Sequence, residues 1–114
     1  MERELTQWER ELLSALAAVP GPQSETIRES MPHLVWTGGC ECGCASFTVR
    51  DSRYAPPPHE MFHYSNGWTP DKSIGFAFYL GEADRPLSVD IFTEPEHFDA
   101  RPDPASIVVE PAGP

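Results

Sequence analysis

Cys40, Cys42 and Cys44 stand at alternate positions in Gly38-Gly39-Cys40-Glu41-Cys42-Gly43-Cys44, so all three cysteines of the chain fall within five consecutive residues. Three thiolates and one imidazole make the Cys3His set of a tetrahedral zinc site, with ligands about 2.0–2.3 Å from the ion. His59 or His63 would supply the imidazole if the segment carrying them folds back over the cysteines. The same soft thiolates suit Cu(I), for which fewer ligands suffice. The spacing permits these sites without specifying one, because structural zinc ribbons carry paired C-x2-C elements and this chain has a single compressed cluster. Two further readings stay open. A thiolate held near a base or a positive field can do redox or covalent chemistry, and His33, His59, His63 and His97 are the available bases. Acidic surroundings oppose this by raising thiol pKa values. In the plainest reading, glycines 38, 39 and 43 allow a tight turn and the cysteines pack beneath it as small apolar residues.

A second polar group, Glu94, Glu96, His97, Asp99 and Asp103, has the residue types for divalent-cation binding or acid–base chemistry if they converge. The prolines between them oppose convergence and favour a solvated acidic tail. No phosphate-binding glycine loop, Ser-His-Asp signature or His-Glu-x-x-His helix defines a common enzyme class.

The third group is aromatic. Phe62, Tyr64 and Trp68 lie in a long segment, 51–72, that reads as a loop, and they either cover the open face of a sheet or line a partner-binding surface. The chain has 18 acids against eight bases and a formal charge of −10, with eight of the acids in residues 81–114 beside only Arg85 and Arg101. Nucleic acids and anionic membrane surfaces, which need clustered Lys and Arg, are poor partners for such a field; a basic protein is compatible with it.

The elements that must position these groups fit one domain spanning 1–114. Leu5, Trp8, Leu12, Leu16 and Val19 recur at helical spacing up to Pro20-Gly21, and Ser24 is placed to cap a short second helix towards Met31, giving a helical segment over 1–31. Period-two patterns then predict four strands within 33–93: Leu34 to Thr37, Ser46 to Arg50, Ile74 to Leu80 and Leu87 to Ile91. The expected fold is α+β, with two N-terminal helices packed on a four-stranded, mainly antiparallel sheet. Prolines 95, 102, 104, 111 and 114 predict an extended Pro-rich acidic tail over 94–114. With 39% hydrophobic residues the chain should fold without a metal. No apolar run reaches the ~20 residues of a membrane span and the first residues lack signal-peptide character, so a cytoplasmic location with reduced thiols is expected.

Cys40-Glu41-Cys42-Gly43-Cys44, Ser46 to Val49, Leu87 to Ile91 and Pro102-Asp103-Pro104 together resemble a group of small uncharacterised bacterial proteins with a Cys-x-Cys-Gly-Cys turn, over most of the chain. Ala45 departs from that pattern, in which proline follows the third cysteine. The resemblance implies a bacterial single-domain protein and carries no activity or catalytic residue. The functional expectation is a small acidic binding or regulatory module that contacts a protein. The alternative is a zinc, copper or thiol-redox protein centred on the cysteines, and a small-molecule enzyme would require a preformed pocket with converging polar groups.

Overall fold

The computed structural model describes residues 2–39, 44–55 and 61–112. Helix α1 (Gln7–Ala17) opens on a capping box: Thr6 Oγ1 accepts from the Glu9 N–H at 3.1 Å, and the Glu9 carboxylate accepts from the Thr6 N–H at 2.8 Å. Arg3 clamps the same carboxylate through two hydrogen bonds of 2.9 and 3.0 Å. Leu12, Leu13 and Leu16 project from α1 into the core and are fully buried. Helix α2 (Ser24–Ser30) is only seven residues long and buries Ile27 and Ser30. Pro32 then sits in a single 3-10 turn, Met31–His33, that feeds the chain into the sheet.

The expected four-stranded sheet is incorrect: among the described residues the sheet has seven strands. They are β1 (Arg3–Glu4), β2 (Leu34–Gly39), β3 (Phe47–Asp51), β4 (Phe62–Trp68), β5 (Gly75–Leu80), β6 (Pro86–Phe92) and β7 (Val108–Pro111). Their order is β1-β2-β3-β6-β5-β4-β7, with every pair antiparallel. Three of them lie outside the expected set, each for a physical reason. Strand β4 runs through the segment read as a loop, because its core face carries Ser65 and Gly67, where a period-two pattern would show large residues. An irregularity between His63 and Ser65 also breaks the alternation, so that Tyr64 and Ser65 are both buried although adjacent. Strand β1 has two residues, too few for any period.

The extended tail is likewise replaced by a docked one. Trp8 Nε1–H donates to the Pro102 carbonyl at 2.9 Å, Arg101 lies 5.1 Å from the Trp8 ring, and Pro104 and Ile107 are buried. This strap delivers β7 to the edge of β4. Pro111 is tolerated there because it faces outward: the Ala112 N–H bonds the Tyr64 carbonyl at 3.1 Å, so by antiparallel alternation Val108 and Glu110 turn their N–H groups inward while Val109 and Pro111 turn outward. Within β7 the outer edge therefore offers one donor, that of Val109. Such an edge resists strand addition.

Both helices cover one face of the sheet. That face carries Leu34, Phe47, Val49, Phe76, Phe78, Val89 and Ile91, which close a core with the α1 leucines and Ile27. Strand β4 is pinned beneath α1 by Ser65 Oγ–H, which donates to the Leu16 carbonyl at 2.7 Å, and by Tyr64 Oη–H, which donates to the Val19 carbonyl at 2.6 Å. Among the described residues no helix is long and apolar enough to cross a membrane.

The β4–β5 connection is built around Asp71. The Ser73 N–H, with the hydroxyls of Thr69 and Ser73, holds the Asp71 carboxyl down at about 2. Lys72 follows with φ at +62°, a left-handed conformation that costs a side-chain-bearing residue and not glycine. Lys72→Gly should therefore raise stability by about 0.5–1 kcal/mol, read as a higher urea midpoint at unchanged slope. A lower midpoint would show that Lys72 makes a contact worth more than its backbone strain.

Candidate docking surface

The face of the sheet away from the helices follows from the same registers. Val108 of β7 is opposite Trp68 of β4, Trp68 is opposite Gly75 of β5, and Gly75 is opposite Phe92 of β6. One row thus crosses four strands, roughly 14 Å at a strand spacing of about 4.8 Å. Its three large members remain uncovered: Trp68 is 41% exposed, Phe92 55% and Val108 61%. Gly75 explains the seating of the indole. A Cβ there would come within 2.7 Å of Trp68 Cζ3, so the absence of a side chain lets the benzo ring rest on the strand.

The next row carries polar groups. Glu110 is opposite Asn66, Asn66 opposite Ala77, and Ala77 opposite Asp90. Beyond it His63 stacks on Tyr79 with ring centroids 5.0 Å apart, and its Nε2 lies 2.8 Å from Asn66 Oδ1. Burial, with a smaller contribution from the Asp90 charge, pushes the Tyr79 phenol up. Beside Trp68 the row opens into a groove of about 540 Å3, lined by Trp68, Thr69, Pro70, Lys72, Val108 and Glu110.

Of the aromatics singled out in the sequence, Phe62 and Trp68 are exposed and Tyr64 is buried, its ring edge-on to Phe78 with centroids 6.0 Å apart. Phe62 lies away from the row, beside Met61 and the Glu82–Asp84 turn. Phe92 and Val108, which complete the row, were not among the sequence candidates. The signal for Phe92 is that it falls out of phase with Leu87, Val89 and Ile91, the one large apolar residue of β6 on the opposite face. Val108 carried no such signal, because its strand was not expected.

Cys40, Cys42 and His59 lie outside the described residues. Cys44 is half-buried, and its thiol donates to Ser46 Oγ at 3.3 Å, while the same oxygen accepts from the Ile91 N–H at 2.7 Å. His63 is not brought towards it. His63 aligns through Tyr79 and Ser88 with Thr48, three strands from β3 and four residues along from Cys44, a separation on the order of 20 Å at ordinary strand spacing and rise. Among the described residues no three His, Cys, Asp or Glu side chains gather as a metal site. The tail group is also dispersed. Glu94 is the N-cap residue of an exposed 3-10 turn, Pro95–His97, and Asp103 uses its Oδ1 to accept from the Ala105 N–H at 3.0 Å.

No family model, curated protein or solved structure matches this chain.

Proposed function

We propose that the protein is a small acidic binding module whose open sheet face docks a basic protein partner. The observation that carries this is the in-register row Val108–Trp68–Gly75–Phe92, which leaves two aromatic rings and a valine uncovered on one side of a well-packed sheet. Aromatic side chains at the centre of a patch, with polar groups around them, are the composition of a binding hot spot. The charge of −10 favours a cationic partner and disfavours nucleic acid and anionic membrane, and the cytoplasm, where thiols stay reduced, is the proposed setting. Docking on the face agrees with an outer β7 edge that offers one backbone donor.

The test is a comparison of baits. Protein captured from native extract by the wild type should be lost on the Trp68→Ala/Phe92→Ala double variant and kept by Glu25→Ala, a change on the helix side. Both variants should keep the wild-type circular dichroism. The same captured set on all three baits would rule out this face.

A further inference from the structure

Resting on that docking reading, we infer that Trp68 and Phe92 are two cation-receiving platforms for alternate Lys or Arg side chains of an extended partner segment. The first argument is the allocation of charge. Arg3, Arg50 and Arg53 are engaged with Glu9, Glu2 and Asp51 in ion pairs of 2.9, 2.7 and 2.7 Å, and Arg85 and Arg101 lie over the rings of Tyr54 and Trp8. Five of the eight Lys and Arg are thus engaged within the fold, whereas three of the 18 acids are in those ion pairs.

The second argument is where the remaining acids stand relative to the exposed rings. Asp90 precedes Phe92 by two residues on the same strand face, about 6.8 Å along β6, and Glu94 follows it by two. Glu110 lies diagonally across from Trp68 and lines the same groove. Each exposed ring thus has a carboxylate within reach of a long side chain. A ring face and a nearby carboxylate attract a Lys or Arg head together, the ring through its quadrupole and the carboxylate by charge. The two rings stand two strands apart, roughly 10 Å. Basic residues at positions i and i+2 of an extended chain are about 7 Å apart at the backbone, and their flexible stems cover the difference. Lys72 is the base lining the Trp68 groove. Its charge opposes a cation there, so reversing it should strengthen binding.

The experiment is a titration of 15N-labelled protein with three heptapeptides, each carrying threonine at the even positions and lysine, glutamine or glutamate at the odd ones. The lysine peptide should shift the Trp68 indole N–H and the Phe92 and Val108 amides, and bind about tenfold more tightly than the glutamine peptide. Trp68→Ala should weaken it about tenfold, raising salt from about 50 to 500 mM should weaken it further, and Lys72→Glu should tighten it. Glutamine and glutamate peptides binding this face as well as lysine would overturn the cation inference and leave the docking face standing. Lysine-peptide shifts confined to the segment from Glu94 to Asp103, or an affinity unmoved by both Trp68→Ala and Lys72→Glu, would also overturn it. No shift on this face with any of the three peptides would count against both readings.

Discussion

Gly67→Val should destabilise the protein by about 2–3 kcal/mol, lowering its melting temperature by roughly 10 °C. Gly67 lies on the core face of β4, where α1 and the tail strap press against the strand from the same side. A Cβ at this position would already stand 2.8 Å from Ile107 Cγ2 and 3.0 Å from Leu16 Cδ2, and valine adds two methyl groups to that space. Leu16 could move its terminal methyl, but the branched Ile107 is buried and joins the strap directly to β7. The gain in β propensity over glycine, about 0.5–1 kcal/mol, offsets part of the clash and not its bulk. Gly38→Val is the matched control, since its nearest neighbour, Thr48 Oγ1, lies at 3.4 Å, an ordinary contact. Thermal unfolding of the two variants side by side decides the matter: a Gly67→Val midpoint within about 2 °C of the wild type would mean the strap yields freely.

Asp51→Ala should cost about 2 kcal/mol at neutral pH. Asp51 is 2% exposed, at the end of β3 beneath α2. Arg53 clamps it through Nε at 3.0 Å and Nη2 at 2.7 Å and adds its own N–H at 3.0 Å, while the Ser30 hydroxyl donates from the helix end. The Arg53 guanidinium, against the cost of burial, holds the Asp51 carboxyl well below the usual carboxylate range. Arg53 is itself 42% exposed at its side chain, so solvent screens the pair and much of the loss comes from stranding Ser30. A depressed folded-state pKa fixes the sign of the pH dependence. The contribution is complete above the unfolded value near 4 and is lost as pH falls below it towards the folded value. Urea titrations at pH 7 and pH 3 should therefore show the gap between wild type and Asp51→Ala narrowing at the lower pH. A gap that widened on acidification would contradict the assigned role.

The parts of the fold that could be read from sequence are those whose periods are uninterrupted. The α1 stripe through Leu12 and Leu16 is regular, and in β5 Phe76, Phe78 and Leu80 alternate cleanly because they fill a core of ordinary depth. Strand β4 was hidden for the opposite reason: α1 lies so close that only Ser65 and Gly67 fit beneath it, while Trp68 faces outward and the irregularity at Tyr64 breaks the alternation. The candidate site was half visible. Trp68 could be selected for its size and setting, but its partnership with Phe92 and Val108 depends on registers across four strands, which no local pattern contains. Tyr64 illustrates the converse error, since its side chain is spent on anchoring Val19.

Strands β1 and β7, the first and last among the described residues, form the two opposite margins of the sheet. As the chain leaves the ribosome, α1 emerges long before the β4 and β5 surfaces on which it rests, and β4 has a bare margin until the residues from Val108 onward appear. Tertiary closure thus waits until β7 has been made, and nascent chains carry an unsatisfied strand and uncovered leucines until then. Ribosome-associated chaperones would meet this protein as an unfinished sheet, and a stall ahead of β7 would release a species prone to aggregate.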